Sequence, residues 1–311
     1  MPIPFVALLS AIATGRATAL DGDVPWIVPP ELSKLSEAQS DAAADTAQTL
    51  ALRDVELDWY KVLGYRALIY SNESFNPATE VSSRGVAVFF GDVQRHPYLE
   101  TTFGLAGRGC GLERGAEAHC LQVIEGASWA GADLTAIVAV GNGTRGAVFA
   151  AYAFAEHVLG VTPFYRFTDD QPTWTGSATA PAAPMAWGPP RFTHRCIFMN
   201  DEELLGFFRR DPLGEQIFDA ATLDMILEAL LRAKGNCAVV GTTHYPDDRS
   251  LKPAARRGRA SGGARGGTPG RAGRWSTRSG SCATRRRGRP LRGLWPPACS
   301  VGGRPPSSQR S

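Results

Sequence analysis

No acidic residue occurs after residue 250: from 251 to 311 the chain has fourteen arginines and Lys252 but no aspartate or glutamate. Of 33 basic and 30 acidic residues, the first 250 therefore hold 18 and 30, a net charge of −12. An acidic body precedes a basic tail, an asymmetry that nucleic-acid-binding arms also show. From about Ala260 the tail also lacks apolar periodicity, and Arg, Gly, Pro, Ser and Ala dominate it. Such a segment cannot bury enough surface to offset its chain entropy, so disorder is expected over 251–311. No apolar run reaches the roughly 20 residues that cross a bilayer, so no membrane partner is expected. Also missing are a serine nucleophile elbow, a zinc-ligand signature and a phosphate-binding P-loop. Neither a metal nor a bound cofactor is expected.

The first apolar run, Phe5 to Ala13, has no basic residue before it and is followed by Ala17-Thr18-Ala19, a triplet of the kind that precedes signal cleavage. Residues 1–19 read as a secretory signal and the protein as extracellular, with an ordinary flexible end as the other reading. Of six cysteines, Cys110 and Cys120 flank the turn RGCGLERGAEAHC. They are either a disulfide closing that loop in an oxidising compartment or two unpaired thiols. Asn72-Glu73-Ser74 is a glycosylation sequon, and Asn142-Gly143-Thr144 is a second one in a tight loop.

Residues 20–45, with Pro29 and Pro30, read as a linker or arm, and 46–185 as an α/β domain. Helical spacing runs from Gln48 to Val62, and strands are expected at Ala67–Tyr70, Gly85–Phe90, Ala118–Ile124 and Leu134–Val140. The organising stretch is Leu134 to Gly160, where a buried strand breaks on three glycines and resumes as an apolar-faced helix through Val148, Ala151, Tyr152, Ala155 and Val158. Gln171 to Pro190 has the Pro, Ala, Thr and Gly content of an interdomain linker. Residues 186–250 then give a strand (Phe192–Met199), an amphipathic helix (Ala220–Lys234) and a strand from Cys237. That order opens a (β/α)8 barrel.

Gly141-x-Gly143-x-x-Gly146 fits the dinucleotide fingerprint, with Asp169 and Asp170 about 20 residues on as candidate ribose acids. On that reading the protein is an NAD(P)-dependent oxidoreductase. The competing reading is a tight structural or substrate-lining loop, with Arg145 either clamping an anion or paired in a salt bridge. Asn200, Asp201, Glu202 and Glu203 follow a barrel strand, where side chains line the active site. They are candidates for sugar hydroxyls, a metal or acid–base work, or else a helix cap with acids in its first turn. His194 and His244 stand without metal-ligand spacing, while His244-Tyr245-Pro246-Asp247-Asp248 follows the second barrel strand and is a further candidate lining.

Three segments, GNGTRGAVFAAYAFAEHVLGVTPFYRF, RCIFMNDEELL and LDMILEALLRAKGN, together resemble the N-terminal part of glycoside hydrolase family 115, the xylan α-1,2-glucuronidases. The resemblance covers roughly Leu134 to Ser250. It implies an α/β domain before a (β/α)8 barrel and removal of 4-O-methylglucuronic acid from glucuronoxylan with inversion. It further implies that Asn200 and Asp201, with Glu202, line a glucuronate pocket, and that Gly141, Gly143, Arg145 and Gly146 support the barrel. A barrel of this type needs about 250 residues, and only about sixty follow Pro190 before the pattern fails. The general acid of the family is expected on a later strand, so the catalytic residues are unknown and the chain reads as truncated and inactive. An out-of-frame GC-rich coding sequence would yield the Arg-, Gly-, Pro-, Ala- and Trp-rich tail, so a reading-frame error is expected there. A nucleic-acid-binding arm is the remaining reading of that tail, and a secretory signal counts against it.

Overall fold

Strict alternation of buried side chains along Val86–Asp92 assigns one set to each face of a sheet. Val86, Val88 and Phe90 join one core with Trp26, Trp59 and Phe154, while Ala87 and Phe89 join a second with Ile27, Leu99 and Phe103. The computed structural model describes residues 17–36, 46–199 and 220–240, together with Arg257.

In chain order the elements are β1 (Thr18–Leu20), β2 (Pro25–Val28), α1 (Ala47–Leu63), β3 (Leu68–Ser71), α2 (Pro77–Glu80), β4 (Val86–Asp92), α3 (Tyr98–Phe103), β5 (His119–Trp129), β6 (Ala132–Gly141), α4 (Gly143–His157), β7 (Ala178–Ala180), β8 (Met185–Trp187), β9 (Cys196–Met199), α5 (Ala220–Arg232) and β10 (Cys237–Val240). The central sheet has the order β3-β2-β4-β6-β5-β8. Its first four strands are parallel, and β5 and β8 are antiparallel to their neighbours. Near-continuous apolar runs suit strands covered on both faces, as here. The helices α1 and α4 cover one face, where Trp26 meets Trp59 edge-on at 5.4 Å and Phe90 at 4.9 Å.

Two expectations need correction. Residues 20–45 are not merely a linker, because Pro25–Val28 is an interior strand paired on both sides and fully buried. The strand is too short for its alternation to show, and the prolines that follow it suggested a loop. Likewise, the stretch from 171 to 190 contains two strands: β7 pairs with β1, and β8 extends the central sheet beyond β5. Strand pairing therefore reaches from β1 at Thr18–Leu20 to β8 at Met185–Trp187.

The piece after β8 is a β9-α5-β10 unit, with β10 parallel to β9 in the register Cys237↔Cys196. A mixed α/β architecture is established; among the described residues β9 and β10 form a two-stranded sheet of their own. Among the described residues two disulfides are present, Cys110–Cys120 and Cys196–Cys237.

Candidate functional site

The three glycines of the fingerprint lie at the junction of β6 and α4, with Asn142 as the residue before the helix. Their requirements differ. Gly143 has a φ of +74°, left-handed backbone that a side chain disfavours. At Gly141 a side-chain carbon would overlap the backbone of Gly146, and one at Gly146 would come within 2.7 Å of the Ala118 carbonyl oxygen. Two of the glycines thus serve close packing of α4 on its own sheet. Asn142 Nδ2 donates to the Leu112 and Gly115 carbonyls at 2.7 and 2.9 Å, so the amide nitrogen of this sequon is already engaged.

The helix N-terminus is where a pyrophosphate would bind in a dinucleotide fold. Here the Gly143 N–H donates to Asp92 Oδ1 at 2.9 Å, and the Gln94 N–H donates to the same oxygen at 3.0 Å. Asp92 ends β4, next to β6, and is almost completely buried. Burial raises its carboxyl above the usual range, and the two N–H groups oppose that rise. A nucleotide phosphate would have to displace this carboxylate. Asp169 and Asp170 are exposed in the loop after a 3-10 turn at Tyr165–Phe167, not at the end of a second strand. The nucleotide reading thus loses both of its geometric requirements.

Arg145 faces a carboxylate instead. Glu117 receives Arg145 Nη1 at 2.7 Å on Oε1, Arg195 Nη2 at 2.5 Å on Oε2, and Asn236 Nδ2 at 3.2 Å on Oε1. These donors come from the first turn of α4, the residue before β9 and the residue before β10. Glu117 itself has a φ of +69°, unusual for a residue with a side chain, and sits within the loop that the Cys110–Cys120 disulfide closes. Burial pushes its carboxyl up, but the hydrogen bonds from Arg145, Arg195 and Asn236 outweigh that and hold it below the ordinary value. One carboxylate therefore joins the glycine turn to both strands of the second piece. His119, two residues on, donates through Nδ1 to the Glu117 carbonyl at 2.9 Å and stacks on Trp187 at 4.8 Å between ring centres. Burial lowers its pKa to about 4, against the pull of the Glu117 carbonyl, so the ring is neutral near pH 7.

A second charged cluster fixes α5. Arg257 Nη1 lies 2.7 Å from Asp54 Oδ2, and its Nε lies 2.6 Å from Asp224 Oδ1. Tyr152 Oη donates to Asp54 Oδ2 at 2.6 Å. Arg232 pairs with Glu228 at 2.9 Å and with Asp58 at 2.7 Å, the latter as an ion pair not aligned as a hydrogen bond. Burial pushes the Asp54 carboxyl up, and Arg257 more than reverses this, leaving it below the usual range. Asp58 and Glu228 are raised, with burial as the leading cause.

Asn200, Asp201, Glu202 and Glu203, and the residues from His244 to Asp248, lie outside the described residues. The four-residue acidic motif directly follows Met199, which ends β9. His194 is exposed. Asp92, Glu117, Arg195 and Asn236 were not singled out from the sequence. The available signal for Asp92 was a carboxylate closing the run GVAVFFGD next to the glycine turn, whereas nothing local distinguished Glu117.

Among solved structures, the chain is similar to a family GH115 4-O-methyl-α-glucuronidase with specificity for decorated arabinogalactans. The match has a TM-score of 0.53 and 16% identity and covers 77% of this chain and 28% of that one. At that identity the likeness is one of fold. No family model matches the chain, and no curated protein does.

Proposed function

We propose that this chain forms the N-terminal α/β domain and opening βαβ unit of a glycoside hydrolase that removes glucuronic or 4-O-methylglucuronic acid from a decorated polysaccharide. The observation that carries this reading is a fold shared over 77% of the chain with an α-glucuronidase. That enzyme has specificity for decorated arabinogalactans, and glucuronoxylan is the substrate that the sequence resemblance implies. On this reading Asn200, Asp201 and Glu202 line the glucuronate pocket at the end of β9. Arg145 acts at one remove, since its guanidinium holds Glu117 and Glu117 holds the residues before β9 and β10. Gly141 and Gly146 let α4 approach the sheet closely enough for that contact.

An inverting reaction needs a general acid on the glycosidic oxygen and a base activating water on the opposite face, about 6.5–9.5 Å apart. The chain spans 28% of the length of its structural neighbour, and the general acid is the group that the family resemblance implies on a later strand. The two disulfides support an extracellular location.

Ligand-dependent thermal unfolding tests the reading. Aldouronic acids bearing 4-O-methylglucuronate should raise the midpoint, Asp201→Ala should remove that rise, and NAD and NADP should leave the midpoint unchanged. A response to NAD or NADP alone would replace the sugar reading with the oxidoreductase one.

A further inference from the structure

The two disulfides differ in their access to solvent. Cys110 and Cys120 are 3% and 1% exposed and belong to the core that contains Phe89, Leu99 and Phe103. Cys196 is exposed, and its partner Cys237 is 9% exposed. Exchange requires a thiolate to reach one sulfur of the bridge, so access decides both which bridge reacts and at which sulfur. The first bridge presents neither sulfur unless its core opens. The second presents Cys196.

Other bonds hold the same two strands. Cys196 and Cys237 form the first of the paired positions of β9 and β10, which continue in register to Met199 and Val240. Just before them, the Arg195 N–H donates to Asn236 Oδ1 at 2.9 Å and the Asn236 N–H donates to the Arg195 carbonyl at 3.0 Å. Asn236 Nδ2 donates to the Thr193 carbonyl at 2.8 Å, and Glu117 receives the side chains of both Arg195 and Asn236. With the sulfur–sulfur bond broken, these contacts keep the two thiols side by side. Opening then requires no unfolding, and closing again carries no loop-closure cost.

We infer that Cys196–Cys237 is a reversible thiol-exchange site of the folded chain, at which a low-molecular-weight thiol attaches to Cys196. The incoming thiolate attacks Cys196 Sγ, and a bond forms between those two sulfurs as the Cys196–Cys237 bond breaks. Cys237 leaves as a thiolate and takes up the proton that the incoming thiol lost. A second thiol, losing its proton and attacking the sulfur that the first one brought, releases Cys196, which is protonated in turn. The two thiol molecules end oxidised as their own disulfide, and the cystine ends reduced as two thiols. The intermediate adduct sits one residue from Arg195, on the junction that Glu117 organises. The inference is independent of the polysaccharide reading.

Thiol trapping on the native chain tests it. The oxidised protein is treated with reduced glutathione without denaturant, quenched at intervals with N-ethylmaleimide, and mapped by peptide mass spectrometry, which separates these cysteines from Cys282 and Cys299. Early samples should carry glutathione on Cys196 and maleimide on Cys237, and later ones maleimide on both. Cys110–Cys120 should stay intact about tenfold longer or more, because neither of its sulfurs is accessible. The near-UV circular dichroism of the Trp26–Trp59 core should match that of the untreated chain, and oxidised glutathione should restore the bridge. Loss of both disulfides together, loss only once urea unfolds the chain, or glutathione on Cys237 instead of Cys196 overturns the assignment. Collapse of the near-UV signal as Cys196–Cys237 opens also overturns it, since exchange would then require unfolding.

Discussion

Glu117 and His119 connect local chemistry to the response of the molecule to acid. The folded carboxyl of Glu117 lies below its ordinary value, so its stabilisation is present above the unfolded pKa and is lost as pH falls through the folded one. His119 acts in the same direction, because its folded pKa of about 4 lies below 6.5 and protonation favours the unfolded chain throughout that interval. The carboxyls that burial raises, Asp58, Asp92 and Glu228, act in the opposite sense. A difference between variants therefore isolates the imidazole. Between pH 6.5 and 4, His119 should cost wild type about 3 kcal/mol of unfolding free energy, and His119→Phe should lack that component in denaturant titrations at each pH. Glu117→Ala, which leaves Arg145 and Arg195 facing each other without their shared carboxylate, should destabilise the chain by about 3 kcal/mol at pH 7 in the same assay.

For secondary elements, legibility depended on flanking composition as well as length and period, since β3, β9 and β10, of four residues each, were also legible. The helices α1, α4 and α5 and the strands β4, β5 and β6 were legible because each runs long enough for its apolar spacing to show. The strands β1, β2, β7 and β8 have only three or four residues and lie beside prolines or alanine-rich stretches, so local composition suggested linkers. Their strand character comes from partners: β2 lies between β3 and β4, and β8 extends β5. The same limit applies to the site. The turn with Gly141, Gly143 and Gly146 was visible as a motif, but its capping carboxylate lies 51 residues away in Asp92. Arg257 shows long-range dependence most clearly, since it occurs in a stretch whose composition reads as tail yet is buried against Asp54, Tyr152 and Asp224. The buried contacts therefore include a residue beyond 250. Arg257→Ala should destabilise the chain by about 3–5 kcal/mol, the usual cost of removing one partner from a buried ion pair. Equilibrium unfolding of that variant beside wild type checks the value, and a loss below about 1 kcal/mol would place Arg257 outside the folded core.

In the whole molecule, covalent links and the Glu117 contacts act on the same junction. The Cys110–Cys120 disulfide closes the loop that carries Glu117, and Cys196 and Cys237 directly follow its partners Arg195 and Asn236. By the chain-entropy relation, loops with sequence separations of 10 and 41 residues correspond to stabilisation of about 3 and about 4 kcal/mol. Full reduction should thus lower the unfolding midpoint well below that of the oxidised chain. Cys196→Ala/Cys237→Ala should show the larger single loss, and scanning calorimetry with and without a dithiol reductant checks both. The pairing of β1 with β7 has a mechanical consequence. The strands run antiparallel with Thr18 opposite Ala180, so tension entering before β1 and leaving after β7 loads the pair at one end. Such a clasp peels open one hydrogen bond at a time instead of resisting in shear. Stretched between its flanking segments, the domain should release this short ribbon first, while the six-stranded sheet remains intact behind it.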